Sequence, residues 1–156
     1  MIYVLDSGPL IIMFRHYYPD RFPSLWERFD EMVETERMIS VSEVSRELEG
    51  QDDRLSTWVG DHTSFFHNPT HDEMLFVAQI FEVRHFQTLI KQQERLQGQP
   101  VADPFVIAKA RVIENGCVVT TEKEKENAAQ IPNVCDHFHI PHMNLETFMQ
   151  EENWTF

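Results

Sequence analysis

Cysteine is scarce in this sequence: there are two, Cys117 and Cys135, and they form no CxxC pair. They imply no disulfide framework, and a reducing compartment, the cytoplasm, is the expected setting. Basic residues are few as well. Lys and Arg number 13 against 26 Asp and Glu, a formal charge of −13. That balance excludes a surface coated in positive charge for gripping DNA or anionic lipid. It leaves a nuclease possible, because a carboxylate metal site is itself acidic and nucleic acid is reachable through bound cations. It predicts weak non-specific binding and leaves room for a basic partner. No apolar run approaches the roughly 20 residues of a membrane-spanning helix. The first residues, Met1 to Asp6, lack a basic region followed by a long apolar one, so no signal peptide is expected. There is no internal repeat, low-complexity tract or convincing linker. The 156 residues, 42% apolar, suit one domain spanning 1–156.

What is present alternates between short apolar runs and helical patterns. Ile2–Leu5 is an apolar run closed by turn residues, which reads as a buried strand. Pro9 is placed to open a helix through Phe14. Ser24 and Glu27 have the form of a capping box ahead of a helical pattern to about Arg37. Met38–Val41 is a second strand candidate, followed by a helix over 42–49. The stretch 52–97 is helical in character, with Thr70 and Glu73 as a further capping box, and Gly98 to Pro100 break it. Asp103, as N-cap, and Pro104 begin another helix that Asn115 and Gly116 stop. Cys117–Thr120 is a third strand and Val134–Phe138 a fourth. A helix over 144–151 closes the chain. Short strands alternating with helices predict an α/β fold: a three-layer α/β/α sandwich around a parallel sheet of four to five strands, with extra helices from the middle of the chain.

In open sheets of this kind, ligands bind beyond the carboxyl ends of the strands. Asp6 and Ser7 follow the first strand. Ser40, Glu43 and Glu47 accompany the second, Asp103 precedes the third, and Thr120, Thr121 and Glu122 follow it. No strand end carries a glycine-rich phosphate loop, so nucleotide binding has little support. Carboxylates brought together repel and raise one another's pKa, and oxygen-only ligands favour Mg²⁺ or Mn²⁺ over zinc. Such a cation could activate water against a phosphodiester.

Each candidate also has a purely structural reading. Asp6 could satisfy turn amides, and Asp103 before Pro104 could be only an N-cap. Glu43 and Glu47 lie four apart on one helical face, so one of them suffices. Ser40 and Glu43 form another capping-box pattern, which favours Glu47 as the ligand and leaves Glu43 as the second choice. Glu122 opens an alternating charge run that usually marks a solvated face. Ser7 and Thr120 could orient a ligand or a water, or only bond the backbone. Cys135, His137, His139 and His142 fit no standard zinc spacing. Tyr17, Tyr18, Phe22 and Trp26 read as core or an interface patch ahead of base stacking. Lys109, Arg111 and Lys123 are the candidates for a local basic strip.

The pieces in this order resemble a PIN domain, the nuclease fold of VapC-like toxins and several RNA-processing factors. They are Val4 to Ser7, Val44 to Leu48, Ala102 to Ala110 and Val118 to Glu122; Ile131 to Phe138 and Met143 to Leu145 are similar to the tail of an uncharacterised bacterial PIN-like subfamily. The resemblance implies an Mg²⁺- or Mn²⁺-dependent endoribonuclease, an RNA substrate and often a cognate antitoxin. Asp6, Glu47, Asp103 and Glu122 match its acidic positions. The fourth is commonly Asp or Asn; Glu122 is one methylene longer. A homodimer is compatible with this reading. Two rival classes stand beside it. One is a receiver-like, Mg²⁺-binding signalling domain, which would carry paired acids after the first strand, where this chain has Asp6 followed by Ser7. The other is a non-catalytic protein-binding module on the same fold, which would need no metal.

Overall fold

The computed structural model describes residues 1–51, 53–87 and 102–156. The later part of the helical stretch expected over 52–97, with its break at Gly98 to Pro100, lies mostly outside them. The described elements are strands β1 (Ile2–Leu5), β2 (Met38–Val41), β3 (Phe66–His67), β4 (Gly116–Val119) and β5 (His142–Met143). Eight α-helices accompany them among the described residues: α1 (Ser7–His16), α2 (Pro23–Glu34), α3 (Ser42–Leu48), α4 (Asp53–Asp61), α5 (His71–Glu82), α6 (Asp103–Val112), α7 (Ile131–His137) and α8 (Leu145–Glu151).

The five strands form one sheet in the order β3-β2-β1-β4-β5, all neighbours parallel. Parallel strands need crossovers, and right-handed crossovers assign faces. The chain moves one way from β1 to β2 to β3 and the other way from β3 to β4 to β5. The two sets of connecting helices therefore cover opposite faces, which gives three layers. The packing agrees: α1, α3 and α4 contact one another, while α6 packs on both α5 and α7. Being covered on both faces makes the strands continuous apolar runs. Val4, Val118, Val119, Met38 and Cys117 are all fully buried. The order also differs from the 2-1-3-4-5 order of flavodoxin-like receiver domains, which sets that rival aside.

Several local expectations are corrected. Val134–Phe138 is not a strand: it lies in and just beyond α7, where Pro132 occupies the first turn and Val134 and Cys135 face the core. The sheet's last strand is instead His142–Met143, paired with Val118 and Val119. Ser24 is not the cap of α2; Phe22 holds that position without a side-chain bond and Pro23 starts the helix. Thr70 and Glu73 do form a reciprocal capping box. Gly116 is not a helix stop. Asn115 takes the left-handed turn at φ 58. Gly116 opens β4 so close to α6 that a Cβ there would lie 2.3 Å from the Ala110 carbonyl oxygen. The two-residue strand β3 falls within the stretch expected to be helical; it is edge backbone pairing with Ser40 and Val41.

The aromatic group follows the core reading. Trp26 packs edge-on to Phe14 and Phe29 and donates its indole N–H to the Tyr17 carbonyl, while Tyr17 meets Phe22. Tyr18 is exposed, with the Arg54 guanidinium 5.6 Å from its ring centre. Among the described residues, no helix is long and apolar enough to cross a membrane.

Candidate metal centre

The sheet's order reverses at β1: the chain leaves it towards β2 on one side, while β4 flanks it on the other. A crevice opens beyond the carboxyl ends at such a switch point. Parallel register then dictates who meets there. Leu5 pairs with Val119, so the next residues, Asp6 and Thr120, emerge side by side. The Asp6 amide still donates to the Val119 carbonyl at 3.0 Å, and Thr120 Oγ1 donates to Asp6 Oδ2 at 3.2 Å. The Glu122 amide donates to Thr120 Oγ1 at 3.1 Å. One hydroxyl thus links a carboxylate from β1 to the loop after β4.

Asp103 reaches the same crevice from the start of α6. It is not the N-cap: Ala102 is already helical, without a capping bond, and Asp103 is the first helical residue. Single oxygens of Asp6, Asp103 and Glu122 lie within 4.8 Å of one another, with Asp6 and Asp103 buried and Glu122 half-buried. Among the described residues this is the one group of three or more His, Cys, Asp or Glu side chains close enough to hold a metal ion. Cys135, His137, His139 and His142 make no such group. His139 sits in a left-handed turn, and His142 Nε2 contacts Asp136 Oδ1 at 2.7 Å.

Glu47 stands beside this cluster. Its Oε1 accepts the Ala102 N–H at 3.3 Å, and the Ser7 hydroxyl donates to its carboxylate. Glu43 lies elsewhere: buried, it takes a bond from Ser42 Oγ at 3.2 Å and faces Arg46 at 3.8 Å. The capping box expected of Ser40 and Glu43 does not form. Val41 is the cap of α3, and Ser40 Oγ donates to the Leu5 carbonyl at 2.6 Å.

Electrostatics follow from burial. The Asp6 carboxyl is pushed up to about 7 from an ordinary 3.8, first by burial and then by the charges of Glu122 and Glu47, against the pull of the Ser7 amide and Thr120. Burial also raises Glu47, opposed by its bonds from Ser7 and Ala102. Asp6 Oδ1 is buried with no hydrogen-bond partner. An unsatisfied buried carboxylate oxygen costs about 1–3 kcal/mol or more, so it points to a missing ligand. An all-oxygen donor set suits a hard divalent cation such as Mg²⁺ or Mn²⁺.

Residues 3–156 match the family described as Domain of unknown function (DUF4411). The chain belongs to that family. Among solved structures it is similar to VapBC2 from Rickettsia felis bound to a DNA fragment from their promoter, at 11% identity and a TM-score of 0.46, over 92% of this chain and 98% of that one. No curated protein matches it.

In this DUF4411 chain one of the three candidates for a basic strip is withdrawn from the surface, while Arg111 and Lys123 are exposed. Lys109 is buried on α6 and paired with the buried Glu73 of α5 at 3.5 Å, so it is not available to an RNA phosphate. The Arg111 guanidinium stands 5.7 Å from the centre of the Phe76 ring. Lys123 is exposed, directly after Glu122. Sequence reasoning missed Glu73 and the Lys109 pair; the only signal was the Thr70 capping box, which explains Glu73 as a cap and says nothing of α6.

The Asp6 shift carries a pH prediction. A carboxyl that holds its proton more tightly folded than unfolded stabilises the fold fully below about pH 4, and loses that contribution as pH rises towards about 7. Without metal, wild type relative to Asp6→Asn should lose stability across this window and level off above it. A divalent cation competes with the proton, so the stabilisation by Mn²⁺ should grow from about pH 5.5 to about pH 7.5. Melting curves with EDTA or Mn²⁺ measure both trends. An Mn²⁺ effect equal at the two pH values would contradict the competition.

Proposed function

We propose that this chain is a metal-dependent endoribonuclease of the PIN type, the toxin of a toxin–antitoxin pair. The observation that carries the catalytic reading is the buried convergence of Asp6, Asp103 and Glu122 at the switch point, with Asp6 Oδ1 lacking any partner. The order of the motifs around those residues supports the RNA substrate and the antitoxin.

In this reading Asp6, Asp103 and Glu47 hold Mg²⁺ or Mn²⁺, and Glu122 assists. The cation would activate water and neutralise charge developing on the scissile phosphodiester. Thr120 keeps Asp6 Oδ2 turned and leaves Oδ1 for the ion. Ser7 and the Ala102 amide hold Glu47 against rotation. Such supporting bonds typically matter by about 10–100-fold in metal affinity or activity. At −13 the protein repels RNA at long range, so productive binding depends on the divalent ion and on exposed cations such as Lys123. The same surface favours a basic partner. An antitoxin Arg reaching the carboxylates would displace the ion, because a guanidinium matches carboxylates in a bidentate way. Co-expression with a cognate antitoxin tests that step: a stable complex that kept its metal and its activity would rule it out.

The neighbouring glutamates test the site itself. Glu47→Gln should lower RNA cleavage in Mn²⁺ by roughly 100-fold with little loss of fold. Glu43→Gln should leave cleavage nearly unchanged and cost about 1 kcal/mol of stability through its bonds to Ser42 and Arg46. Cleavage of a fluorescent RNA and urea unfolding measure the two effects. The opposite pattern, with Glu43→Gln inactive and Glu47→Gln active, would reverse the assignment. Cleavage that is indifferent to EDTA would remove the metal-dependent reading and favour a non-catalytic module.

A further inference from the structure

We propose that Glu122 bridges the metal cluster to α7, so that a cation in the cluster stabilises the first turn of that helix and the segment 123–130 before it; this rests on the metal-binding reading above. The Glu122 carboxylate takes part in two sets of contacts. Oε2 of Glu122 accepts the Ile131 N–H at 2.8 Å, the first amide of α7. A Glu122 oxygen also lies within 4.8 Å of oxygens from Asp6 and Asp103. The Glu122 backbone is anchored through Thr120 Oγ1, which itself bonds Asp6. A continuous path therefore runs from the Asp6 carboxylate, whose Oδ1 lacks a partner, to the start of α7.

That helix start depends on outside help. Its cap, Gln130, makes no side-chain bond, and Pro132 has no N–H to offer. The Asn133 side chain reaches back to the segment instead: its Nδ2 donates to the Lys125 carbonyl at 2.8 Å, and its Oδ1 accepts the Lys125 N–H at 3.5 Å. The segment is thus tied to α7 by Asn133 at Lys125 and by Glu122 at Ile131. A shorter Asp at 122 would have to give up either the Ile131 amide or its approach to the cluster. The extra methylene serves to span the two.

Without a cation, the like charges of the cluster push Glu122 away while the Ile131 amide holds it. With one, the carboxylate is attracted from both sides, and the amide bond opens less often. Linkage makes the effect reciprocal: losing the Ile131 bond weakens the cation.

The test is hydrogen exchange at the Ile131 amide of the full chain, by NMR, in EDTA and in saturating Mg²⁺, with Mg²⁺ binding measured by calorimetry on the same protein. Expected is at least about fivefold slower exchange with Mg²⁺, the lower end of usual coupling between sites, while amides of α8 are unaffected. Glu122→Asp should still bind Mg²⁺ but show an exchange ratio near one. Glu122→Gln, which keeps length and an acceptor oxygen but not the charge, should also lose the coupling and serves if the Asp variant does not fold. Mg²⁺ binding with no change at Ile131, or full coupling in either variant, overturns the bridge and leaves the nuclease reading intact. Wild type that binds no Mg²⁺ takes down both.

Discussion

Replacing Asp6 by Asn is expected to abolish the stabilisation by Mn²⁺ and to cut RNA cleavage by at least about 100-fold. Asp6 contributes the one buried oxygen of the cluster that lacks a partner, and it stands at the centre of the sheet's switch point. Ligand binding to the native state alone stabilises it by about 2.7 kcal/mol at a hundredfold excess over Kd. In a domain of this size that is roughly 5–10 °C in melting temperature. Asn keeps the shape and the bond from Thr120 but removes the charge that a divalent ion needs. The metal-free comparison should run the other way. Burial and two neighbouring carboxylates disfavour ionised Asp6, so in EDTA near neutral pH the Asn variant should be at least as stable as wild type. This crossing separates a metal ligand from a structural turn residue, whose loss would destabilise the protein with or without metal. A wild-type melting curve unmoved by excess Mn²⁺ would sink the site, and so would an Asn variant that kept the full Mn²⁺ shift.

Asp6 and Thr120 were legible in the sequence because a sheet's connectivity carries a rule: polar groups just past parallel strands face the crevice. Asp103, at the start of the helix before β4, was legible only from the order of the motifs. The apolar runs Ile2–Leu5 and Met38–Val41 are closed by turn or helix-starting residues, and both strands lie where those residues put them. What local pattern could not supply were the partners. Ser40 looked like a cap for Glu43 at the right spacing, yet its hydroxyl goes to the Leu5 carbonyl of the neighbouring strand, a contact set by the sheet. Val134 to Phe138 has the composition of a strand, yet it follows Pro132 in the first turn of α7, a helix that docks against α6. Strand β3 is two residues long, too short for any periodicity, and is defined by pairing with β2. Glu122 read as part of a solvated charge run, and three of its neighbours, Lys123, Glu124 and Lys125, are exposed. Its own carboxylate turns inward because the Ile131 amide holds it there.

Lys109→Met is expected to cost about 3–5 kcal/mol of stability. Position on α6 had made Lys109 a candidate for RNA contact. The fold instead buries it against α5, where its Nζ lies 3.5 Å from Glu73 Oε2, with both side chains almost wholly inaccessible. Removing the ammonium leaves a buried carboxylate with only the capping bonds from Thr70, and its other oxygen, Oε1, already lacks any partner. An uncompensated charge in that position must be neutralised or exposed, and either route loosens α5 from α6, the helix that carries Asp103. The penalty belongs to the stranded glutamate and not to the lost attraction, since desolvating the pair offsets much of what its partners gain. The double variant Glu73→Gln with Lys109→Met should therefore recover most of the loss, because Gln at that position still serves the capping box and carries no charge. Urea unfolding of wild type, both single variants and the double variant closes the cycle. RNA affinity of the folded Lys109→Met protein should match wild type, because a buried ammonium touches no phosphate. A single variant costing less than about 1 kcal/mol, or a double variant no more stable than Lys109→Met alone, would show that the pair does not hold α5 to α6. A folded single variant with much weaker RNA binding would return Lys109 to the substrate surface.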